Sequence, residues 1–376
     1  MQEDYLKIVK NQETHLSDYA RRSNDCTGRK ILLAPDIHMT EYEKDRHLIL
    51  YSSSFQQLKN KTHFFYNPKN IQICTLMEHA LHVAFISSTI CNYLSLNGAL
   101  AEAIALAHDL GRPPFGHMGE DALRKIHTKF NLPPFMHEAH SLWTIDHFKD
   151  KDHNCALNLT YEVRDGVVCH YGEPNEQTLQ PDRIKDIMTV EQSDARIKYP
   201  GTLEGCVVRL SDRLAYVCRD YKDAKEAGII TRDLPGEIKE YLGENIIKIE
   251  GTLIQDIVEE SQGLDRIQFS NKTFTAFTEF KEFNHQTIYQ NEKIERQRTR
   301  IDNILNELFR LFLEVTQMTK RGKERKNLYG DSYTVFFEFL RYMQYPDDES
   351  DAQIVSDFIA GMSDDYAIKA SLSCFP

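Results

Sequence analysis

Apolar residues recur along this chain at helical spacing and seldom alternate. Leu48, Ile49, Tyr51, Phe55 and Leu58 stripe residues 41–66, which read as one helix stopped by Asn67-Pro68. A second helix is expected from about Thr75 to Leu96, through Leu76, Leu81, Val83, Ala84, Ile86, Ile90 and Leu94, with His79 and His82 in its first turns. Asn97-Gly98 signals a turn, and the helix formers Ala-Glu-Ala-Ile-Ala-Leu-Ala then run to His108. Residues 120–150 continue helical on either side of Pro133-Pro134, and the Gln-, Glu-, Asp- and Pro-rich residues 171–200 read as a loop or insertion. A helix over about Leu203 to Ala227 ends at Gly228. Further helices are expected over 244–262 and about 274–320, the latter long and charge-laced, as suits an exposed face or a subunit contact. Residues 331–344 and 352–369 form two short helices around the acidic loop Asp347–Asp351. The expected fold class is all-α, with room for one small hairpin. The polar residues 1–40 read as an arm, either solvated or leaning on the rest. A core over 41–230 and a C-terminal helical region over 231–376 complete one unit.

Composition narrows the function classes. The 376 residues are 41% hydrophobic and 27% charged, enough for a sizeable core. A formal net charge of −12 argues against sequence-blind nucleic-acid binding, which needs a basic face. The eight cysteines are scattered without a CxxC pair and read as reduced thiols. The first residues lack the features of a secretory signal, and no apolar run reaches the length of a membrane span, so a cytoplasmic protein is expected.

Candidate chemistry concentrates in His-Asp-Leu-Gly-Arg-Pro-Pro-Phe-Gly-His-Met-Gly-Glu, residues 108–120. The Ala-rich helix delivers His108 and Asp109 to its C-terminal end, Gly111 lets the backbone turn out, and Pro113 and Pro114 stiffen the exit. One imidazole nitrogen beside one carboxylate oxygen suits a divalent transition ion. Further ligands are sought among His79 and Asp212, each on an apolar helix; periodicity alone leaves both open, as satisfied polar groups or as ligands. His117 and Glu120 lie three apart and share a face if a helix starts there. Tyr216 and Asp220 follow Asp212 by four and eight residues, on one helical face.

A histidine, then His-Asp, then a distant Asp resembles the ligand order of the HD phosphohydrolase superfamily. More closely, the chain resembles the deoxyguanosinetriphosphate triphosphohydrolases and the wider dNTP triphosphohydrolase group. The segments His79–Val83, Ala105–Gly111, Pro113–Glu120, Gly201–Asp220 and Asp357–Asp364 carry the likeness along nearly the whole chain. The resemblance implies an HD-domain helical bundle with additional C-terminal helices, and His79, His108, Asp109 and Asp212 as metal ligands. It implies His117 and Glu120 as an acid/base pair, His137 as a catalytic residue near the phosphates, and Arg112 and Arg213 as phosphate contacts. It places Tyr216 on the sugar, Asp220 at the 3′ hydroxyl, and His63 where a family Gln reads the sugar. Imidazole ligands favour Mn, Fe, Co, Ni or Zn over a pure Mg site, whereas the resemblance implies Mn or Mg. It further implies hydrolysis of a deoxynucleoside triphosphate to deoxynucleoside and inorganic triphosphate, an effector nucleotide, and a homo-oligomer (tetramer or hexamer). The chain departs from the family pattern at Leu76, Gln56, Gln57, His63 and Arg112, and the first of these removes an arginine that grips the α-phosphate. Those losses keep two alternatives open: an HD phosphohydrolase of nucleoside monophosphates or other phosphoesters, and a low-turnover dNTP-binding sensor.

Overall fold

A computed structural model describes residues 11, 13–34, 36, 38–66, 73–149, 155–171, 175–191, 199–320 and 331–374. The expected stop at Asn67-Pro68 lies outside these residues. Helix starts follow capping chemistry. At α1 (Glu41–Tyr51) the Thr40 hydroxyl accepts from the Glu43 amide, while the Glu43 carboxylate accepts from the Thr40 amide. The stripe expected to run unbroken to residue 66 stops after eleven residues, because the Ser52 hydroxyl accepts from the Phe55 amide and caps a new short helix, α2 (Ser53–Gln57). A 3-10 turn follows, and Thr62 bridges to Thr75 in extended backbone.

Thr75 and Glu78 form a second reciprocal box at the start of α3 (Leu76–Tyr93), and Asn97 caps α4 (Gly98–Ala107). Seven of the ten residues of α4 are buried, four of them alanines. Small side chains let α1, α3, α7 (Tyr161–Val168) and α8 (Leu203–Glu226) all pack against it. This central helix ends at His108 and Asp109, which are fully buried where water would otherwise satisfy them. The chain then turns into α5 (Gly116–Lys129) and α6 (His137–His147).

The C-terminal half comprises α9 (Gly236–Leu242), α10 (Ile246–Ser261), α11 (Asn271–Asn284), α12 (Glu292–Lys320), α13 (Asp331–Met343), α14 (Asp351–Ala360) and α15 (Asp364–Cys374). The single helix expected over 274–320 is two, parted by a π turn over His285–Tyr289 and the residues Gln290-Asn291. The helix expected over 352–369 is likewise parted at Gly361. The only strands among the described residues, β1 (Thr178–Leu179) and β2 (Ile267–Gln268), pair antiparallel across a long separation, so they are no hairpin. They tie part of the expected 171–200 loop to the C-terminal half.

The described part of the N-terminal arm leans on the rest of the chain through two arginines, while most of its residues stay partly or fully exposed. Arg21 donates to Glu162 at 2.7 Å and its amide to Glu204, while Arg29 is held by Glu41 and by the buried Asp45. No helix among the described residues is long and apolar enough to cross a membrane.

Candidate metal centre and substrate cavity

Three elements converge on one buried point: the first turn of α3, the end of α4 and the middle of α8. His79 Nε2 lies 2.9 Å from Asp212 Oδ1. His108 Nε2 lies 3.3 Å from Asp109 Oδ2 and 3.8 Å from Asp212 Oδ1. These separations suit neighbouring ligands of one ion whose bonds are about 2.0–2.2 Å long. The Ala105 carbonyl accepts from His108 Nδ1 at 2.6 Å, so the other ring nitrogen carries the lone pair and faces the two aspartates. Neither His108 Nε2 nor Asp109 Oδ2 has a hydrogen-bond partner, although both are fully buried. A buried acceptor pair left unpaired is costly, and a cation removes that cost. The electrostatics agree. Burial, then His63, pushes His79 down to about 3, which leaves it neutral and able to ligate. Burial lowers His108, but Asp109 and Asp212 outweigh it and hold its pKa up at about 9, the signature of a pocket that attracts positive charge.

Beside this point opens a cavity of about 370 Å³ whose lining includes His63, Phe64, His117, Asp212, Tyr216 and Tyr289. A model of the HD domain matches residues 76–216, and a model of the phosphohydrolase-associated domain matches residues 267–371. Deoxyguanosinetriphosphate triphosphohydrolase-like proteins align along nearly the full length. The one from Desulfatibacillum aliphaticivorans is 32% identical over 96% of this chain and 95% of its own. The one from Caldanaerobacter subterraneus subsp. tengcongensis is 30% identical over 94% of this chain and 90% of its own. The chain belongs to the deoxyguanosinetriphosphate triphosphohydrolase-like family. It is an HD-domain protein with an all-helical fold, and HD domains bind divalent metals. A crystal structure of a hypothetical protein from Aquifex aeolicus overlaps 83% of this chain and 67% of that one, at TM-score 0.39 and 16% identity.

Within this HD protein His117 and Glu120, expected as an acid/base pair, are not hydrogen-bonded to each other. Glu120 accepts from His137 Nδ1 at 2.9 Å, from Arg112 at 3.2 Å and from Arg124 at 2.9 Å, but not from His117. Burial opposes its ionisation, yet His137 and the two guanidiniums hold Glu120 far below the usual carboxylate range. His117 instead accepts at Nδ1 from Arg112 at 3.3 Å. Burial and that guanidinium push its pKa well down, so His117 is a neutral imidazole with its proton on Nε2. The reason is positional. Arg112 reaches between the two side chains and bonds both.

Arg112 also donates to Asp109 Oδ1 at 2.9 Å. It lines the cavity, with Arg124 and Arg298 beside it, but much of its charge is spent on Asp109 and Glu120. The cavity lining does not include Arg213. One residue beyond Asp212 is about 100° around the helix, and Arg213 donates to the Glu176 carbonyl instead. Asp220 accepts from the Tyr289 hydroxyl at 2.7 Å and faces His63 Nδ1 at 3.4 Å, while the His63 ring lies 4.1 Å from that of His79. Gln56 bonds the Leu50 carbonyl and Gln57 lines a separate small crevice, so these two departures do not touch the main cavity. Leu76 is fully buried in the core.

Two residues escape sequence reasoning. His170 follows the buried Val167-Val168-Cys169 at the end of α7 and places Nε2 3.1 Å from His137 Nε2. Its signal, a histidine closing an apolar helix, is too common to single out. Tyr289 enters the cavity only because a π turn ends α11, and helical periodicity cannot foresee one.

Proposed function

We propose that this HD-domain hydrolase cleaves deoxynucleoside triphosphates into deoxynucleoside and inorganic triphosphate. One observation carries the reading: a nucleotide-sized cavity opens beside the buried ligand set, lined by Asp212 of that set and by Tyr216 on α8, with Tyr289, which bonds Asp220, on its wall. The names of its relatives support the same substrate class. A divalent cation on His79, His108, Asp109 and Asp212 supplies Lewis-acid polarisation of an α-phosphoryl oxygen. The chain's own groups do the rest. His117 presents its Nε2 proton to the departing 5′ oxygen, as a neutral imidazole can, and Arg112 fixes that tautomer from the other side. Glu120 holds His137 by Nδ1 and turns its Nε2 toward the centre. Arg124 and Arg298, half-exposed at the mouth together with Lys125, meet the outer phosphates and offset the arginine lost at Leu76. Tyr216 closes on the sugar, and the Asp220–Tyr289 pair takes its 3′ hydroxyl.

The test is turnover of each dNTP and dNMP with Mn, Mg, Fe, Co, Ni or Zn, reading triphosphate against orthophosphate release. Inorganic triphosphate with free deoxynucleoside is expected. Orthophosphate from a monophosphate, or dNTP binding without turnover, overturns the reading in favour of one or other alternative.

A further inference from the structure

We propose that Lys61, His140 and Ser141 are positioning residues: they clamp the backbone of the Gly111–Arg112 turn and thereby aim the Arg112 guanidinium at His117, Glu120 and Asp109. The inference rests on the role given to His117 above and says what holds Arg112 to it.

The turn does not hold itself. It leaves the central helix after Asp109, and the two residues that follow it, Pro113 and Pro114, have no amide proton to give. Of its four backbone polar groups, one is met locally: the Arg112 amide donates to the Asp109 carbonyl at 3.0 Å. Side chains from elsewhere meet the other three. The Gly111 amide donates to the Ser141 hydroxyl at 2.9 Å, and the Gly111 carbonyl accepts from His140 Nδ1 at 2.8 Å. The Arg112 carbonyl accepts from Lys61 Nζ at 2.7 Å. All three side chains are buried.

The clamps are themselves fixed. Lys61 Nζ also donates to the Ala360 carbonyl at 2.9 Å, and the Lys61 carbonyl accepts from the Leu76 amide at 2.9 Å. One residue thereby ties the turn to the end of α14 and to the start of α3, three residues before His79. The His140 ring packs on Phe135 and stacks on Trp143, with centroids 5.3 and 5.0 Å away, and its Nε2 faces Asp357 of α14 at 3.5 Å.

Cohesion alone does not call for a buried ammonium. Lost hydration lowers the Lys61 amine from 10.5 to about 8. What that cost secures is a carbonyl held in place, and with it the Cα of Arg112. The guanidinium hangs from that Cα on a long side chain and meets three partners at once: Asp109 Oδ1 at 2.9 Å, Glu120 at 3.2 Å and His117 Nδ1 at 3.3 Å. His117 depends on it most. His63, Glu120 and His137 also face its ring, but among the described residues Arg112 alone bonds its Nδ1. A displacement of about 1 Å at such a group costs on the order of 100-fold in rate.

The tautomer of His117 tests this without nucleotide, so a failure to hydrolyse dNTPs would sink the functional reading alone. Nitrogen NMR of the imidazole side chains is recorded on the full chain with diamagnetic Mg(II), and His117 is assigned by the signal lost in His117→Gln. Wild type should show one neutral tautomer, protonated at Nε2. Lys61→Met and His140→Phe, shown folded by circular dichroism, each remove a clamp and keep its bulk. Both should give His117 as a mixture of tautomers and lose kcat for dNTP by up to about 100-fold, with KM changed far less. His140→Asn puts an amide donor where Nδ1 stood and should restore the single tautomer. Where neither larger change folds, Ser141→Ala decides, and should give the mixture too. A single Nε2 tautomer persisting in the folded variants overturns the proposal and leaves the three residues as structural struts. So does a mixture in wild type, or His140→Asn no better than His140→Phe.

Discussion

Glu120 shows how one side chain is settled by its neighbours rather than by its spacing in the sequence. Its position three residues after His117 suggested a pair, but Arg112 sits between them and the carboxylate serves His137 instead. Glu120→Gln keeps the shape and removes the charge that orients His137 and balances two guanidiniums. Loss of such an orienting group typically costs about 10–100-fold in activity; a fall of that size in kcat, with the KM for dNTP changed far less, is expected from steady-state kinetics. Lys61 makes a second residue-scale case. Its buried amine donates to the carbonyls of Arg112 and Ala360, with no carboxylate hydrogen-bonded to it. Burial outweighs the pull of Asp364 and Asp109 and lowers its pKa from 10.5 to about 8. The folded pKa is the lower one, so above pH 8 the unfolded chain holds more protons and stability rises with pH until the unfolded amine also titrates. Urea unfolding should show wild type gaining about 2 kcal/mol relative to Lys61→Met between about pH 8 and pH 9.5. The four candidate ligands were named by the family resemblance, since periodicity alone left His79 and Asp212 open; the structure brings their side chains to one buried point. His170 and Lys61 were not named, since their roles come from carbonyls and imidazoles far away in the chain.

Elements were legible where a cap announced them. Thr40, Thr75, Asn97 and Thr202 each start a helix within a residue or two of the expected position, because a hydroxyl or amide oxygen there takes an otherwise orphaned backbone amide. Breaks inside periodic stretches were missed. Ser52 restarts a helix and the π turn at His285–Tyr289 ends one, while the hydrophobic stripe runs on across both. The turn after α4 is where an element's placement matters most to the site. A Cβ on Gly111 would lie 2.2 Å from the Ser141 nitrogen and 2.3 Å from the His140 carbonyl carbon, which are backbone atoms of α6. α6 carries His137 at its first residue, so it cannot retreat without moving a site residue. Gly111→Ala should lose about 3 kcal/mol of stability or more, by denaturant unfolding, and most of its activity even where it remains folded. Gly251, in the middle of α10 with open space around it, is the contrast: Gly251→Ala should gain about 1 kcal/mol through helix propensity and leave activity unchanged.

At the scale of the whole molecule, the C-terminal helices act on the site through a few polar contacts. The segment Asp357–Asp364 was recognisable in the sequence as a signature but carried no visible task. The structure gives it one. Asp357 accepts from the Tyr345 hydroxyl at 2.9 Å and faces His140 Nε2 at 3.5 Å, against α6. Asp364 accepts from the Thr62 amide at 2.9 Å, from the Thr62 hydroxyl, and from the Phe115 amide at 2.8 Å. One carboxylate at the start of α15 thereby joins the strand-like segment before His63 to the turn before His117. Phe115 needs the help, because it sits in the left-handed region at φ 65°, where a bulky residue is strained. Asp364→Ala strands two backbone donors, and each buried unpaired one costs about 1–3 kcal/mol. A loss of about 3 kcal/mol is therefore expected from thermal or urea unfolding. Activity should fall further than stability alone explains, because both cavity histidines are loosened at once. None of the bonds among His79, His108, Asp109 and Asp212 passes through Asp364. The folded variant should therefore keep wild-type affinity for the metal ion while its KM for dNTP rises and its kcat drops. Weakened metal binding in that variant would mean that the C-terminal half shapes the ion site itself, and not only the cavity beside it.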